Sequence, residues 1–176
     1  MFRVIIFFFI ILKVSISYAQ GYDVYGIGIY DVKFDGSSSK NATDIRYERR
    51  FDNTIIDIGP EQDNFFYLKP FAGIELTSDS AFYLISGIYL EDNIGDLFTG
   101  KDNNWNLTPS FGVGYYDDGD GKKLGNKIEF RTTLEFSYQL LNKDRIGFSF
   151  GHISNANIGK KNPGVEIISI SYQKPF

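Results

Sequence analysis

Through most of the chain, apolar and polar residues exchange places at every second position, the period of a β-strand whose side chains alternate between two faces. Eight such segments can be counted, at roughly 22–34, 43–52, 65–77, 80–91, 106–116, 127–139, 145–155 and 165–176. The breaks between them carry turn residues: Asp35-Gly36-Ser37, Ser78-Asp79, Asp117 to Gly121 and Asn142-Lys143. No stretch has helical periodicity, and nothing repeats beyond the strand and turn rhythm. The simplest expectation is an all-antiparallel sheet of eight strands.

The two faces differ sharply in chemistry. In the sixth segment Ile128, Phe130, Leu134, Phe136 and Tyr138 share one side, with Glu129, Arg131, Glu135 and Gln139 on the other. The second sets Ile45, Tyr47 and Phe51 against Asp44, Arg46, Glu48 and Arg50. A soluble sandwich would bury the apolar side, whereas a small membrane barrel turns it to lipid and packs the charges inside. The even strand number, strands of about ten residues and the C-terminal aromatic pair Tyr172 and Phe176 favour the barrel. The expected fold is therefore all-β, an eight-stranded antiparallel transmembrane β-barrel. Its lumen is just wide enough for side chains, so Arg46, Arg50, Lys69 and Arg131 are expected to pair there with Asp44, Glu48, Glu75, Glu129 and Glu135. The first and fourth segments show no clean apolar face. The connections at 53–64 and 92–105 fall on the periplasmic side and are longer than such barrels usually have there; residues 53–58 would extend a strand and 92–105 would hold a short helix.

The N-terminus adds a location. Arg3, an apolar run from Val4 to Leu12 and Ser17-Tyr18-Ala19 describe a secretory signal peptide, residues 1–19, ahead of a barrel domain at 20–176. Its removal leaves 16 basic against 22 acidic residues, a net charge of −6 that does not suggest nucleic-acid binding. With no cysteine, neither a disulfide framework nor a thiolate metal site is available. The Asp117-Asp118-Gly119-Asp120-Gly121 cluster lacks EF-hand spacing and reads as an external turn rather than a calcium loop.

The candidate chemistry lies in the last two segments, RIGFSFGHISNANIGKKNPGVEIISISYQKPF. Ile146, Phe148, Phe150, His152 and Ser154 project together, so the chain's only histidine continues an apolar face. Glu166 begins the matching apolar face of Ile168, Ile170 and Tyr172. A symmetric hairpin with Ser154 opposite Gly164 sets His152 opposite Glu166, roughly 5 Å apart at Cβ. Ser154 is about 7 Å along the strand from His152, within reach of a leaning imidazole. One patch would then hold a nucleophile, a base and an orienting carboxylate. Taken one at a time, a histidine beside a serine reads as a packing residue and Glu166 as a marker of the membrane edge.

His152-Ile153-Ser154-Asn155-Ala156 followed by Asn162-Pro163-Gly164-Val165-Glu166 resembles the signature of the lipid A 3-O-deacylases, the PagL family of outer-membrane acyl hydrolases. Weaker similarity runs back through Lys69-Pro70-Phe71, Leu107 to Gly114 and Glu129-Phe130-Arg131. The resemblance implies a barrel in the bacterial outer membrane that removes the ester-linked acyl chain at the 3-position of lipid A, without metal or cofactor. Ser154 would be the nucleophile, His152 the general base and then acid, and Glu166 the group that orients the ring. Asn155 would help hold the oxyanion, and Asn162 matches a further family position, with oxyanion support or a structural role. The partners expected are lipid A or lipopolysaccharide as substrate and the outer membrane, with a homodimer as an open alternative. Two rivals stand beside this reading: a non-enzymatic barrel for adhesion or structure, disfavoured by short external loops, and an esterase acting on another lipid position or on phospholipid.

Overall fold

The computed structural model describes residues 20–34, 40–59, 67–95, 101 and 103–176. The leader at 1–19 and the turn at 35–37 lie outside the described residues. Among the described residues there are eight long strands and two short ones. In chain order they are β1 (Gly21–Tyr30), β2 (Ala42–Phe51), β3 (Ile56–Asp57), β4 (Tyr67–Thr77), β5 (Phe82–Tyr89), β6 (Asp92–Asn93), β7 (Trp105–Asp117), β8 (Ile128–Gln139), β9 (Arg145–Ser154) and β10 (Val165–Pro175). The long strands pair antiparallel with their neighbours in sequence, and β1 closes on β10 from Tyr22↔Pro175 to Tyr30↔Ile167. Closure leaves no free edge among the long strands, so every strand can bond on both sides within a membrane.

The outward face settles which way the alternation points. Ile27, Ile29, Ile45, Leu84, Phe148 and Ile170 are each about half exposed, while Asp44, Arg46, Glu48, Arg50, Glu129, Arg131 and Glu135 are buried inside. That inversion suits lipid outside and a filled polar lumen. At the end bearing the termini, Trp105 packs edge-on against Tyr138 at 5.2 Å, part of an aromatic margin of the kind that flanks a lipid-facing band. Phe176 lies edge-on to Phe51 at 6.2 Å and beneath the Arg49 guanidinium at 3.9 Å.

The lumen is filled in two layers. Its middle is an ion network: Arg131 bonds Glu75 at 2.6 Å and also Glu48, and Arg50 bridges Glu48 at 2.9 Å and Glu135 at 2.5 Å. Towards the loops that follow β7 and β9 the filling becomes apolar, with Phe71, Tyr83, Ile85, Tyr116, Leu124, Ile153, Val165 and Ile167 in one buried cluster. Leu124 enters this cluster from the 118–127 loop and is fully buried. Lys69 does not join the ion network as the alternation suggested. It pairs instead with Asp52 at 2.6 Å, because the register of β2 on β4 brings the end of one strand level with the start of the other.

The weak faces of the first and fourth segments have physical causes. In β1 the inward positions include Gly26 and Gly28; a Cβ at Gly26 would come within 3.2 Å of Arg46 Nε, and one at Gly28 within 2.6 Å of Ser169 Cβ. The missing side chains make room for lumen groups. In β5 both faces are apolar, because Tyr83 and Ile85 point into the apolar layer while Leu84 meets lipid. The long connections also carry structure: β3 pairs with Leu68 and Tyr67 of β4, and β6 pairs with Leu107 and Asn106 of β7.

Candidate active site on the outer wall

The hairpin of β9 and β10 has the register expected from a symmetric turn, with His152 directly opposite Glu166 and Ile153 opposite Val165. Because Ile153 and Val165 are fully buried in the apolar layer, their neighbours must face outward. His152 Nδ1 lies 3.3 Å from Glu166 Oε1, and the two side chains are 42% and 30% exposed, so the pair sits on the lipid side of the wall and not in the lumen. With the carboxylate as acceptor, Nδ1 is the donor of this contact, which leaves Nε2 as the ring nitrogen not engaged by Glu166.

Gly164 fixes the height of the ring. A Cβ there would lie 2.9 Å from His152 Cε1 and 3.5 Å from Nε2, and the residue has φ +56°. Only glycine combines that backbone with that clearance.

Ser154 shares the outer face with His152, and the two line one side of a groove of about 240 Å³ whose remaining walls are Phe111, Phe130, Thr132 and Ala156. Thr132 stands opposite His152 on β8, and Phe130 stands opposite Ser154. The Phe111 and Phe130 rings stack at 6.0 Å. The groove is apolar apart from the serine, the histidine and the threonine, which suits a hydrocarbon chain next to a reacting ester. Among the described residues no hydrogen bond joins the Ser154 hydroxyl to the imidazole. The two side chains line the same groove without a direct bond, and hydrogen bonds at such sites commonly tighten only when a ligand is bound.

Asn155 and Asn162 organise the loop beside Ser154. Asn155 is fully buried; its Nδ2 donates to the Leu124 carbonyl at 2.8 Å and to the Lys161 carbonyl at 2.7 Å, and its backbone N–H donates to Asn162 Oδ1 at 2.9 Å. The chain then turns through Ala156 (φ 50°) and Asn157 (φ 64°), closed by Ile158 N–H donating to the Asn155 carbonyl at 3.0 Å. Two consecutive non-glycine residues in the left-handed region store strain one residue beyond the serine. The Asp117 cluster, by contrast, is tied by Lys127, which reaches Asp117 at 2.7 Å and Asp118 at 3.4 Å.

The sequence placed His152, Ser154, Gly164 and Glu166 on one hairpin, whereas Phe111, Phe130 and Thr132 gave no sign of being their neighbours. Gly164 left a signal in Asn-Pro-Gly. Phe111, Phe130 and Thr132 become neighbours only through the register of β7, β8 and β9.

Comparison with known proteins agrees with this fold and motif. The sequence model of the lipid A 3-O-deacylase (PagL) family matches residues 87–175. A lipid A deacylase PagL of Bordetella bronchiseptica is 33% identical over 55 residues, a segment that covers 31% of this chain and 31% of that relative. The crystal structure of the outer membrane enzyme PagL superposes with a TM-score of 0.66 at 15% identity, covering 88% of this chain and 99% of that one. A designed transmembrane β-barrel superposes with a TM-score of 0.55 at 13% identity, covering 89% of this chain and 96% of the design. These two superpositions are likenesses of fold.

Proposed function

This chain belongs to the lipid A 3-O-deacylase (PagL) family, and on that premise we propose that it is an outer-membrane serine esterase that removes the acyl chain esterified at the 3-position of lipid A. Residues 1–19 direct export and are cleaved, and the barrel at 20–176 then inserts with the hairpin's site at the external leaflet. The observation that carries the reading is the His152–Glu166 contact of 3.3 Å on the lipid side of the wall, beside Ser154 and an apolar groove.

In this mechanism the acyl chain lies along Phe111 and Phe130 with its ester carbonyl at Ser154. His152 Nε2 takes the Ser154 proton as Oγ forms a bond to the carbonyl carbon. The charge that develops on the imidazole is stabilised by Glu166 at Nδ1. Collapse of the tetrahedral intermediate breaks the bond to the sugar oxygen, which receives the proton back from Nε2. Water, deprotonated by the same nitrogen, then attacks the acyl-serine; collapse breaks the bond to Oγ, which takes the proton back from Nε2, and a 3-hydroxy fatty acid leaves. Asn155 and Asn162 support the oxyanion side by fixing the turn against the nucleophile, since the Asn155 amide hydrogens are already engaged by loop carbonyls.

The test is mass spectrometry of lipid A from cells that express this chain or its Ser154→Ala variant at equal barrel abundance. Loss of one 3-hydroxyacyl group from the 3-position with the parent alone supports the reaction and the nucleophile. Unchanged lipid A with both, repeated with purified barrel and detergent-dispersed substrate, would overturn the deacylase reading.

A further inference from the structure

The His152–Glu166 pair has a second flank, on the side of β10 away from the groove. Beyond β1 the chain stays on the wall for four more residues. Asp31 adopts φ 61° and is largely buried, where Lys122 Nζ lies 2.6 Å and Lys33 Nζ 3.5 Å from its carboxylate. Val32 N–H then donates to the carbonyl of Glu166 at 3.0 Å. Pinned at these two points, the segment brings the Phe34 ring to 5.9 Å from the ring of Phe150 on β9. Because β10 separates β1 from β9, Phe34 must pass over the strand that carries Glu166.

A ring 68% exposed at the end of a barrel strand would ordinarily be an interfacial anchor. Two features set Phe34 apart from the sheet's own aromatics. It stands above the wall on a strap, and its contact with Phe150 lies across β10, on the flank opposite Phe111 and Phe130. Beneath it the wall continues without a polar break, through Phe150 opposite Ile168 and Phe148 opposite Ile170. Phe148 and Ile170 are 52% and 59% exposed. The result is an apolar track that starts beside the carboxylate and runs into the lipid-facing band.

We propose that Phe34 and Phe150 form a second acyl-chain site, which seats a neighbouring hydrocarbon chain of the same multi-acyl glycolipid while the chain to be cleaved occupies the Phe111–Phe130 groove. The inference rests on the deacylase reading and gives it a source of selectivity: a lipid with several chains grips both flanks, whereas a single-chain ester grips one. A second chain tethered to a lipid already held in the first groove meets Phe34 at high effective concentration, and about a tenfold gain in apparent affinity is expected.

The experiment compares kcat/KM of the parent and Phe34→Ala on purified lipid A and on a single-chain nitrophenyl ester in the same detergent. It is paired with native mass spectrometry of lipid A binding to Ser154→Ala with and without Phe34→Ala. The expected results are a fall of about tenfold in the ratio of the two kcat/KM values, carried by KM, and a similar weakening of binding in the hydrolysis-dead pair. An equal fall on both substrates, or unchanged binding and an unchanged ratio, would overturn the second site. If the parent hydrolyses neither substrate but binding still depends on Phe34, the site stands and the hydrolase reading fails.

Discussion

Two glutamates inside the barrel, Glu48 and Glu135, and the one beside His152 have the same functional group and opposite surroundings. Glu48 is held by three guanidinium groups, Arg46 at 3.7 Å, Arg50 at 2.9 Å and Arg131. Glu135 accepts from Arg46 at 3.3 Å, Arg50 at 2.5 Å, Ser171 at 3.1 Å and Gln173 at 2.8 Å. Glu166 contacts the imidazole and sits at the edge of a lipid-facing groove. A charge with several fixed partners in a closed lumen is a structural element, because disturbing any one partner strands the rest. A carboxylate whose contact is a single imidazole beside an open groove can be altered without disturbing the lumen network. On the proposed mechanism the two faces of one strand layer divide the work: the inner face builds the barrel and the outer face carries the chemistry.

The sharpest way to separate them is Ser154→Ala. Turnover of lipid A should fall by about a thousandfold or more while the barrel keeps its heat-modifiable mobility on gels, because an outward hydroxyl supports no lumen contact. Arg50→Met should do the reverse. Removing the bridge between Glu48 and Glu135 costs about 3–5 kcal/mol of folding stability by urea titration in micelles, yet turnover per folded molecule stays within about threefold. The comparison breaks if the lumen variant loses chemistry or the outer variant loses the fold.

Smaller effects refine the outer site. Glu166→Gln keeps the shape and removes the charge that stabilises the imidazolium, so kcat should fall by about a hundredfold with KM little changed. Gly164→Ala brings a methyl to 2.9 Å from His152 Cε1 at φ +56°, and the displaced ring should cost about tenfold in kcat, with about 1 kcal/mol of stability from the backbone. A Gly164→Ala enzyme with parental kcat would show that the ring's height above Gly164 is not what aligns it.

Much of this division was readable in the sequence, and its limits follow from packing. β8 and β9 alternate cleanly because one face meets only lipid and the other only lumen, so their bounds and the pairing of His152 with Glu166 follow from period two and a symmetric turn. β5 hides its orientation because its inner residues, Tyr83 and Ile85, belong to an apolar layer, so both faces carry the same signal. Lys69 read as a lumen cation, but pairing depends on depth along the barrel as well as on face, and depth is set by register. The Phe111–Phe130 groove and the burial of Asn155 depend on three strands and two loops meeting, which no local pattern encodes.

The most direct measurement is peptide mapping after treatment of the purified barrel with a long-chain alkyl phosphonate that reacts only with an activated serine. Four serines make the contrast: Ser154 on the outer face, and Ser149, Ser169 and Ser171, all buried in the lumen. One adduct is expected, on Ser154, much slower to form in Glu166→Gln. Adduct formation on a lumen serine, or on Ser154 at an undiminished rate without the carboxylate, would contradict it.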